Sequence, residues 1–289
     1  MRIDEYNSFS SLLSRYSKAL SRLEQSGVSV AQQCRLRTYE RRLSRLVVDP
    51  RVAVEADLVF SATFDLREID EIVEIVEHLP DSIDVSTAGL LSKLASGNDH
   101  PDDDASATAR EAQYELYLGT VLRRAGIHVR HGAPDITASW HGEEFFIEAK
   151  RPGSPKRLDD RLRSAVHQLR KLPRPGVVAI SADQLLRPSG GLLTVELHDQ
   201  LALAVDGLLR SFIIEHSHIL RNRLAKESFA ALLWTARLPA RISSSGHSAL
   251  GTSLLLERDS PESPEAAFAS VAMDAYLKAQ NSNFLCAGG

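Results

Sequence analysis

The spacing of apolar residues predicts helices in the first third of the chain. Residues 12–23 place leucines and a tyrosine at helical intervals, and segments 34–46 and 66–79 carry similar patterns. This periodicity is typical of helices that bury one face. We therefore expect an all-helical N-terminal module over residues 1–97.

A Gly-, Pro- and Asp-rich stretch follows at residues 96–104, and it has no apolar period. Such a composition is typical of a loop or linker. We therefore expect a domain boundary here and a second domain over residues 98–289.

The second domain has both helical and strand patterns. Residues 106–125 carry an apolar stripe that ends at Gly126, which indicates a helix with a glycine stop. The other expected elements are strands at 127–130, 135–140, 145–150, 176–181, 229–235 and 251–256, and helices at 157–171, 197–222 and 264–279. This order predicts an α/β fold with a mixed central sheet flanked by helices.

Composition and short motifs exclude several classes of protein. A net charge of -4 rules out a uniformly basic nucleic-acid coat, so a polyanion site would need locally clustered Lys and Arg. Cys34 and Cys286 lack the spacing of a zinc site or a disulfide framework, which favours a cytoplasmic location. Neither a signal-peptide pattern nor an apolar run of ~18 residues is present, so we expect no membrane partner. No phosphate loop or nucleophile elbow occurs, which argues against ATP and serine hydrolysis.

The most informative segment is an expected hairpin that turns at His141-Gly142. Glycine tolerates the positive φ that a two-residue turn requires, and pairing Trp140 with Glu143 then sets Asp135 opposite Glu148. Their Cβ atoms would lie ~5 Å apart. Because side chains alternate along a strand, Lys150 shares the face of both carboxylates.

Two carboxylates that face each other across a hairpin repel unless they share a cation or a proton. A divalent metal bound by oxygen ligands, Mg²⁺ or Mn²⁺, would resolve this repulsion and would polarise a phosphate or a bound water. Lys150 could orient that water and stabilise developing charge. The chemistry that this arrangement predicts is hydrolysis of a phosphodiester.

The string Pro134-Asp135, followed by Glu148-Ala149-Lys150, resembles the PD-(D/E)xK nuclease superfamily. The resemblance covers residues 106–182 and implies a restriction-endonuclease-like core, with DNA as the preferred substrate. It also implies that Asp135 and Glu148 hold the metal and that Lys150 is catalytic. We expect the Ala149 carbonyl to be a further metal ligand.

The same resemblance implies two further site residues. Members of the family often add a glutamate from the preceding helix, for which we favour Glu115 over Glu111. Thr108 and Glu111 have the spacing of a capping box, so Glu111 also has a structural explanation. Gln168, on the helix after the ExK strand, resembles the polar residue that this helix lends to the family's active site.

Two basic segments could contact a phosphate backbone. Residues 150–174 contain nine basic residues against two acidic ones, and we expect the nucleic-acid contacts to include Arg151, Lys156, Arg157 and Arg161. Such contacts give affinity without sequence readout and predict strong salt dependence. A second cluster, Arg35, Arg37, Arg41, Arg42 and Arg45, is better explained as a solvated helix face.

The sequence therefore predicts a metal-dependent nuclease, and two alternatives stay open. One is a non-catalytic nucleic-acid-binding or assembly module that keeps the restriction-endonuclease-like fold. The other is a nuclease that is active only with a defence or repair partner protein. The sequence leaves open whether the protein forms a homodimer.

Overall fold

The computed structural model describes residues 9–48, 56–99, 108–186, 192–224, 230–245, 248–258 and 262–280. The helices are α1 (Phe9–Gln25), α2 (Arg35–Val48), α3 (Ala56–Glu77), α4 (Val85–Leu94), α5 (Thr108–Arg124), α6 (Pro155–Leu169), α7 (Gln200–Glu215), α8 (Ser217–Leu224) and α9 (Pro264–Gln280). The strands are β1 (His128–His131), β2 (Ile136–Trp140), β3 (Glu143–Lys150), β4 (Val177–Ser181), β5 (Leu193–Val195), β6 (Ala231–Ile242) and β7 (Ser248–Arg258). None of the helices in these ranges combines the length and apolar composition that crossing a membrane requires.

The strands form one mixed sheet with the order β1-β2-β3-β4-β6-β5, in which β7 pairs with β6. β2 pairs antiparallel with both β1 and β3, whereas β4 pairs in parallel with both β3 and β6. β6 also pairs in parallel with β5 and antiparallel with β7. The expectation of an α/β fold with a mixed sheet flanked by helices is therefore confirmed.

Helices cover both faces of the sheet and create two hydrophobic cores. The first face packs against α3, α5 and α9, with α1, α2 and α4 in the same core. The second face packs against α6, α7 and α8. The N-terminal helices thus continue the core of the first face, and the boundary expected near residue 97 does not separate two cores.

Local sequence signals explain where the helices nearest the site begin and end. α5 ends at Arg124, and the chain turns at Gly126, whose φ of 80° suits glycine. Ile127 N–H donates to the Leu122 carbonyl at 3.1 Å. The N-cap of α4 is Asp84, whose carboxylate accepts a hydrogen bond from Thr87 N–H at 2.8 Å. α4 packs against α5, and α5 packs against β1 at the edge of the first face.

The structure differs from the expected elements in three places. The helix expected over 197–222 begins at Gln200 and is divided at His216 into α7 and α8. The sequence pattern does not reveal α4 or the three-residue strand β5, because both are too short to show a clear period. Most of the expected linker, together with Phe229 and Cys286, lies outside the described residues.

Candidate active site

The hairpin of β2 and β3 has the expected turn and register. His141 and Gly142 both have positive φ, 49° and 81°, as a two-residue type I′ turn requires. The paired residues run from Trp140–Glu143 to Ile136–Ile147. One further step sets Asp135 opposite Glu148, so the predicted register is confirmed.

Alternation along β3 sends its side chains to opposite faces. Phe145, Ile147 and Ala149 pack in the core of the first face, whereas Phe146 packs in the core of the second. Glu148 and Lys150 follow the alternation of Phe146. They therefore lie toward the second face, at the carboxyl end of β3.

Asp135, Glu148 and Lys150 are in direct contact, and we call them the acid–lysine cluster. Lys150 Nζ lies 2.8 Å from Asp135 Oδ2 and 2.6 Å from Glu148 Oε2. Asp135 Oδ2 also accepts a hydrogen bond from Ala149 N–H at 2.9 Å, and Glu148 Oε1 accepts one from Asp135 N–H at 3.3 Å. The backbone and the lysine together hold both carboxylates in place.

Burial controls the electrostatics of the cluster. Burial and the neighbouring Asp135 charge raise the pKa of Glu148 to about 7, although Lys150 opposes the shift. Burial alone would lower the pKa of Lys150, but Asp135 and Glu148 outweigh it and raise that pKa. Lys150 is therefore a cation at neutral pH, and the cluster holds more acidic groups than one ammonium neutralises.

Glu115 lies within electrostatic reach of the cluster but makes no hydrogen bond to its three side chains. Burial, followed by the Asp135 charge, raises the pKa of Glu115 to about 8, and Lys150 opposes this shift. Glu115 Oε1 instead lies 3.2 Å from His131 Nδ1. The competing acid, Glu111, pairs with Arg161 at 2.8 Å.

The sequence interpretation did not single out His131, which is buried beside Glu115. Burial, followed by the Arg123 charge, lowers the pKa of His131 to about 4, so its ring is neutral and its contact with Glu115 is a hydrogen bond. The alternation of β1 could have identified it, since Val129 and His131 are the two buried positions of the strand.

The prediction that Arg151 contacts nucleic acid is wrong. Its side chain is fully buried and donates to Glu71 and Asp183 at 2.7 Å. Because it directly follows Lys150 in an extended chain, it points toward the first face, where α3 supplies Glu71. Its charge is neutralised inside the protein.

The other predicted contact residues differ in exposure. Lys156 and Arg157 are exposed in the first turn of α6, whereas Arg161 is half-buried in its pair with Glu111. The N-terminal cluster is tied into the fold: Arg35 pairs with Glu68, and Arg42 pairs with Asp65 and Asp99. Lys156 and Arg157 therefore remain the most accessible of the predicted phosphate contacts.

Gln168 lies away from the acid–lysine cluster. Its neighbour Leu169 packs closely on Gly176. A Cβ added to Gly176 would lie 2.5 Å from Leu169 Cδ2 and 2.9 Å from the Phe146 carbonyl oxygen. This contact places the last turn of α6 beside the early part of β3 and the start of β4. Lys150 stands at the other end of β3, so the structure does not bring Gln168 to the site.

The two carboxylates fit a hard divalent cation, although they are only two donor side chains. Asp135 and Glu148 supply oxygen atoms held by a common ammonium, and burial together with their mutual repulsion raises the pKa of Glu148. Across the described residues, no three His, Cys, Asp or Glu side chains form a group that could hold a metal. Mg²⁺ can bind through one or two carboxylates and water, so the two acids suffice, with Glu115 outside their immediate contact.

Comparison with protein-family models gives no match, and comparison with curated proteins gives none either.

Proposed function

We propose that this protein is a nuclease that hydrolyses phosphodiester bonds, preferentially of DNA, and depends on Mg²⁺ or Mn²⁺. The observation that carries the proposal is the contact of Lys150 Nζ with both Asp135 and Glu148, at 2.8 and 2.6 Å. The register of the hairpin brings two negatively charged side chains together, and the ammonium of Lys150 lies between them.

Asp135 and Glu148 would hold the metal, with the Ala149 carbonyl as a further ligand and Glu115 as a nearby acid. When bound, the ion would act as a Lewis acid toward the phosphate and would lower the pKa of a bound water.

Lys150 acts as a hydrogen-bond donor and a positive charge. An ammonium has three N–H donors, and the two carboxylates accept two of them. The third can orient a water molecule or a phosphate oxygen. Since the pKa of Lys150 is raised, it stays protonated and stabilises developing negative charge instead of removing a proton.

The order α5-β1-β2-β3-α6-β4 supports the proposal that the core is restriction-endonuclease-like. The first turn of α6 begins five residues after Lys150 and exposes Lys156 and Arg157. Cations in this position can contact the phosphates that flank a scissile bond.

The direct test is cleavage of linear and circular DNA by the full chain, with and without Mg²⁺ or Mn²⁺. Cleavage should require the ion, and Lys150→Ala should reduce the rate by on the order of 10²–10³-fold. Lys18→Ala is the matched control, since it removes an exposed lysine from α1. Metal-independent cleavage, or full activity of Lys150→Ala, would refute the assignment.

One observation favours a non-catalytic nucleic-acid-binding module as the second candidate. Lys150 already lies between the two acids, so the cluster could serve as a structural ion pair. Titration with Mn²⁺ by calorimetry separates the two functions. Binding that is lost in Asp135→Asn supports the nuclease, whereas DNA binding without Mn²⁺ binding supports the module.

A further inference from the structure

His131 reaches α5 because of its position in β1. Val129 and His131 point toward the helix, whereas His128 and Arg130 point away. The imidazole is fully buried, and His131 pairs in register with Ile136, the residue after Asp135. The ring therefore lies between α5 and the strand end that carries Asp135.

The imidazole packs against three residues of α5 that are spaced four apart. Glu115 lies 3.2 Å from Nδ1, and Arg123 Nη1 lies 3.4 Å from Nε2. Between them, a Cβ on Gly119 would lie 2.7 Å from Cε1 and 2.8 Å from Nε2 of His131. Glycine inside a helix costs about 1 kcal/mol relative to alanine, so α5 accommodates the ring at the expense of helix stability.

The contact with Arg123 defines the tautomer of His131. A guanidinium can only donate, so Nε2 accepts from Arg123 and carries no proton. In the neutral ring Nδ1 then carries the proton and donates to Glu115 Oε1. The hydrogen bond holds one oxygen of the carboxylate, and Oε2 is the oxygen left for other contacts.

We propose that His131 is a positioning residue that holds the Glu115 carboxylate toward the acid–lysine cluster. This inference rests on the proposed nuclease function, in which Glu115 is the acid contributed by α5. Partners that orient metal-binding carboxylates through hydrogen bonds affect both metal affinity and activity. His131 is buried and also hydrogen-bonds the backbone of Asp135, so the test must separate that contact from the one with Glu115.

The test compares His131→Leu, which removes the donor, with His131→Asn, which keeps a donor near the position of Nδ1. His131→Leu should lower kcat about 10- to 100-fold with little change in KM, and should weaken Mn²⁺ binding in calorimetry by about 10-fold. His131→Asn should restore most of both losses. Val129→Ala is the control, because Val129 also packs at Gly119 from β1.

A double-mutant cycle identifies the route of the effect. If His131 acts through Glu115, then His131→Leu should cause no further loss of kcat or Mn²⁺ affinity in a Glu115→Ala background. Additive losses, an equal loss in Val129→Ala, or no rescue by His131→Asn would overturn the proposal. If His131→Leu fails to fold, His131→Phe, which keeps a ring but has no hydrogen-bond donor, is used in the same cycle.

Failure of the proposed function gives a different result. If the unmodified protein cleaves no DNA yet binds Mn²⁺, the nuclease assignment fails, and the calorimetric cycle still tests His131. If the unmodified protein cleaves DNA and His131→Leu matches it in kcat and Mn²⁺ affinity, only the positioning role fails.

Discussion

Arg151 forms a bidentate ion pair with Glu71, donating from Nη1 at 3.0 Å and from Nη2 at 2.7 Å. Gln113 of α5 donates to the same carboxylate at 2.6 Å. Lys150, the preceding residue, points toward the opposite face of the sheet. The end of β3 is therefore fixed from one side by α3 and presents its lysine on the other.

We expect Glu71→Gln to destabilise the protein by about 3–5 kcal/mol, because it leaves the buried Arg151 charge incompletely neutralised. Glu77→Gln is the control on the same helix, since Glu77 pairs with Arg15 at the surface. This change should cost less than about 1 kcal/mol. Denaturant unfolding measures both, and equal effects would contradict the proposed importance of burial.

The hairpin could be predicted because its determinants are local. A turn of His141 and Gly142 sets the pairing of β2 with β3, and alternation then places Asp135, Glu148 and Lys150. The contact of these three side chains follows from a few neighbouring residues.

The surroundings of the hairpin could not be predicted in the same way. Arg151 and Glu71 are 80 residues apart, and an ion pair between distant segments leaves no periodic pattern in a sequence. The position of Arg151 directly after Lys150 therefore suggested a phosphate contact. The same difficulty applies to Gln168, whose distance from the cluster depends on how far α6 runs along the sheet.

Mn²⁺ should raise the thermal midpoint of unfolding, since an ion that binds only the folded state stabilises it by mass action. At 100 times the dissociation constant the gain is about 2.7 kcal/mol. Asp135→Asn should lose most of this gain, whereas Asp274→Asn, which alters an exposed acid of α9, should keep it. An equal shift in both variants would indicate nonspecific binding.

Arg157→Ala should weaken DNA binding and reduce the slope of log affinity against log salt by about 1, because one phosphate contact is lost. Arg163→Ala is the control on the same helix. Its guanidinium is already paired with Asp159 at 3.0 Å. Binding measured by fluorescence anisotropy at several salt concentrations would show an unchanged slope for Arg157→Ala if the residue does not contact phosphate.

Two glycine substitutions near α7 should have opposite signs. A Cβ on Gly251 of β7 would lie 2.6 Å from Val205 Cγ2, so Gly251→Ala should cost about 1–3 kcal/mol through overpacking. Gly207 lies within α7, and a Cβ added there would enter open space, so Gly207→Ala should stabilise the protein by about 0.5–1 kcal/mol. Denaturant unfolding of both variants tests the packing of α7 on the sheet.

Asp65 should make stability depend on pH. Burial raises its pKa to about 7 from 3.8, although Arg42 opposes the shift. A raised folded-state pKa means that the folded protein binds the proton more tightly than the unfolded chain. The contribution of Asp65 to stability should therefore grow as the pH falls from about 8 to about 5.

Asp65→Asn removes this titration and is nearly isosteric. The stability of the unmodified protein relative to Asp65→Asn should rise toward acid pH in denaturant unfolding. A constant difference between about pH 8 and about pH 5 would contradict the raised pKa.

The buried counter-ions Asp70 and Glu71 belong to α3, and this limits how far the chain can be truncated from its N-terminus. A fragment that starts at residue 98 would keep Asp135, Glu148 and Lys150, yet it would lack Glu71 and also Asp70, which pairs with Arg237 of β6. Arg151 would keep Asp183 but lose Glu71, Arg237 would lose Asp70, and the apolar face of the sheet that α3 covers would be exposed to water. A minimal fragment built around the acid–lysine cluster must therefore include α3.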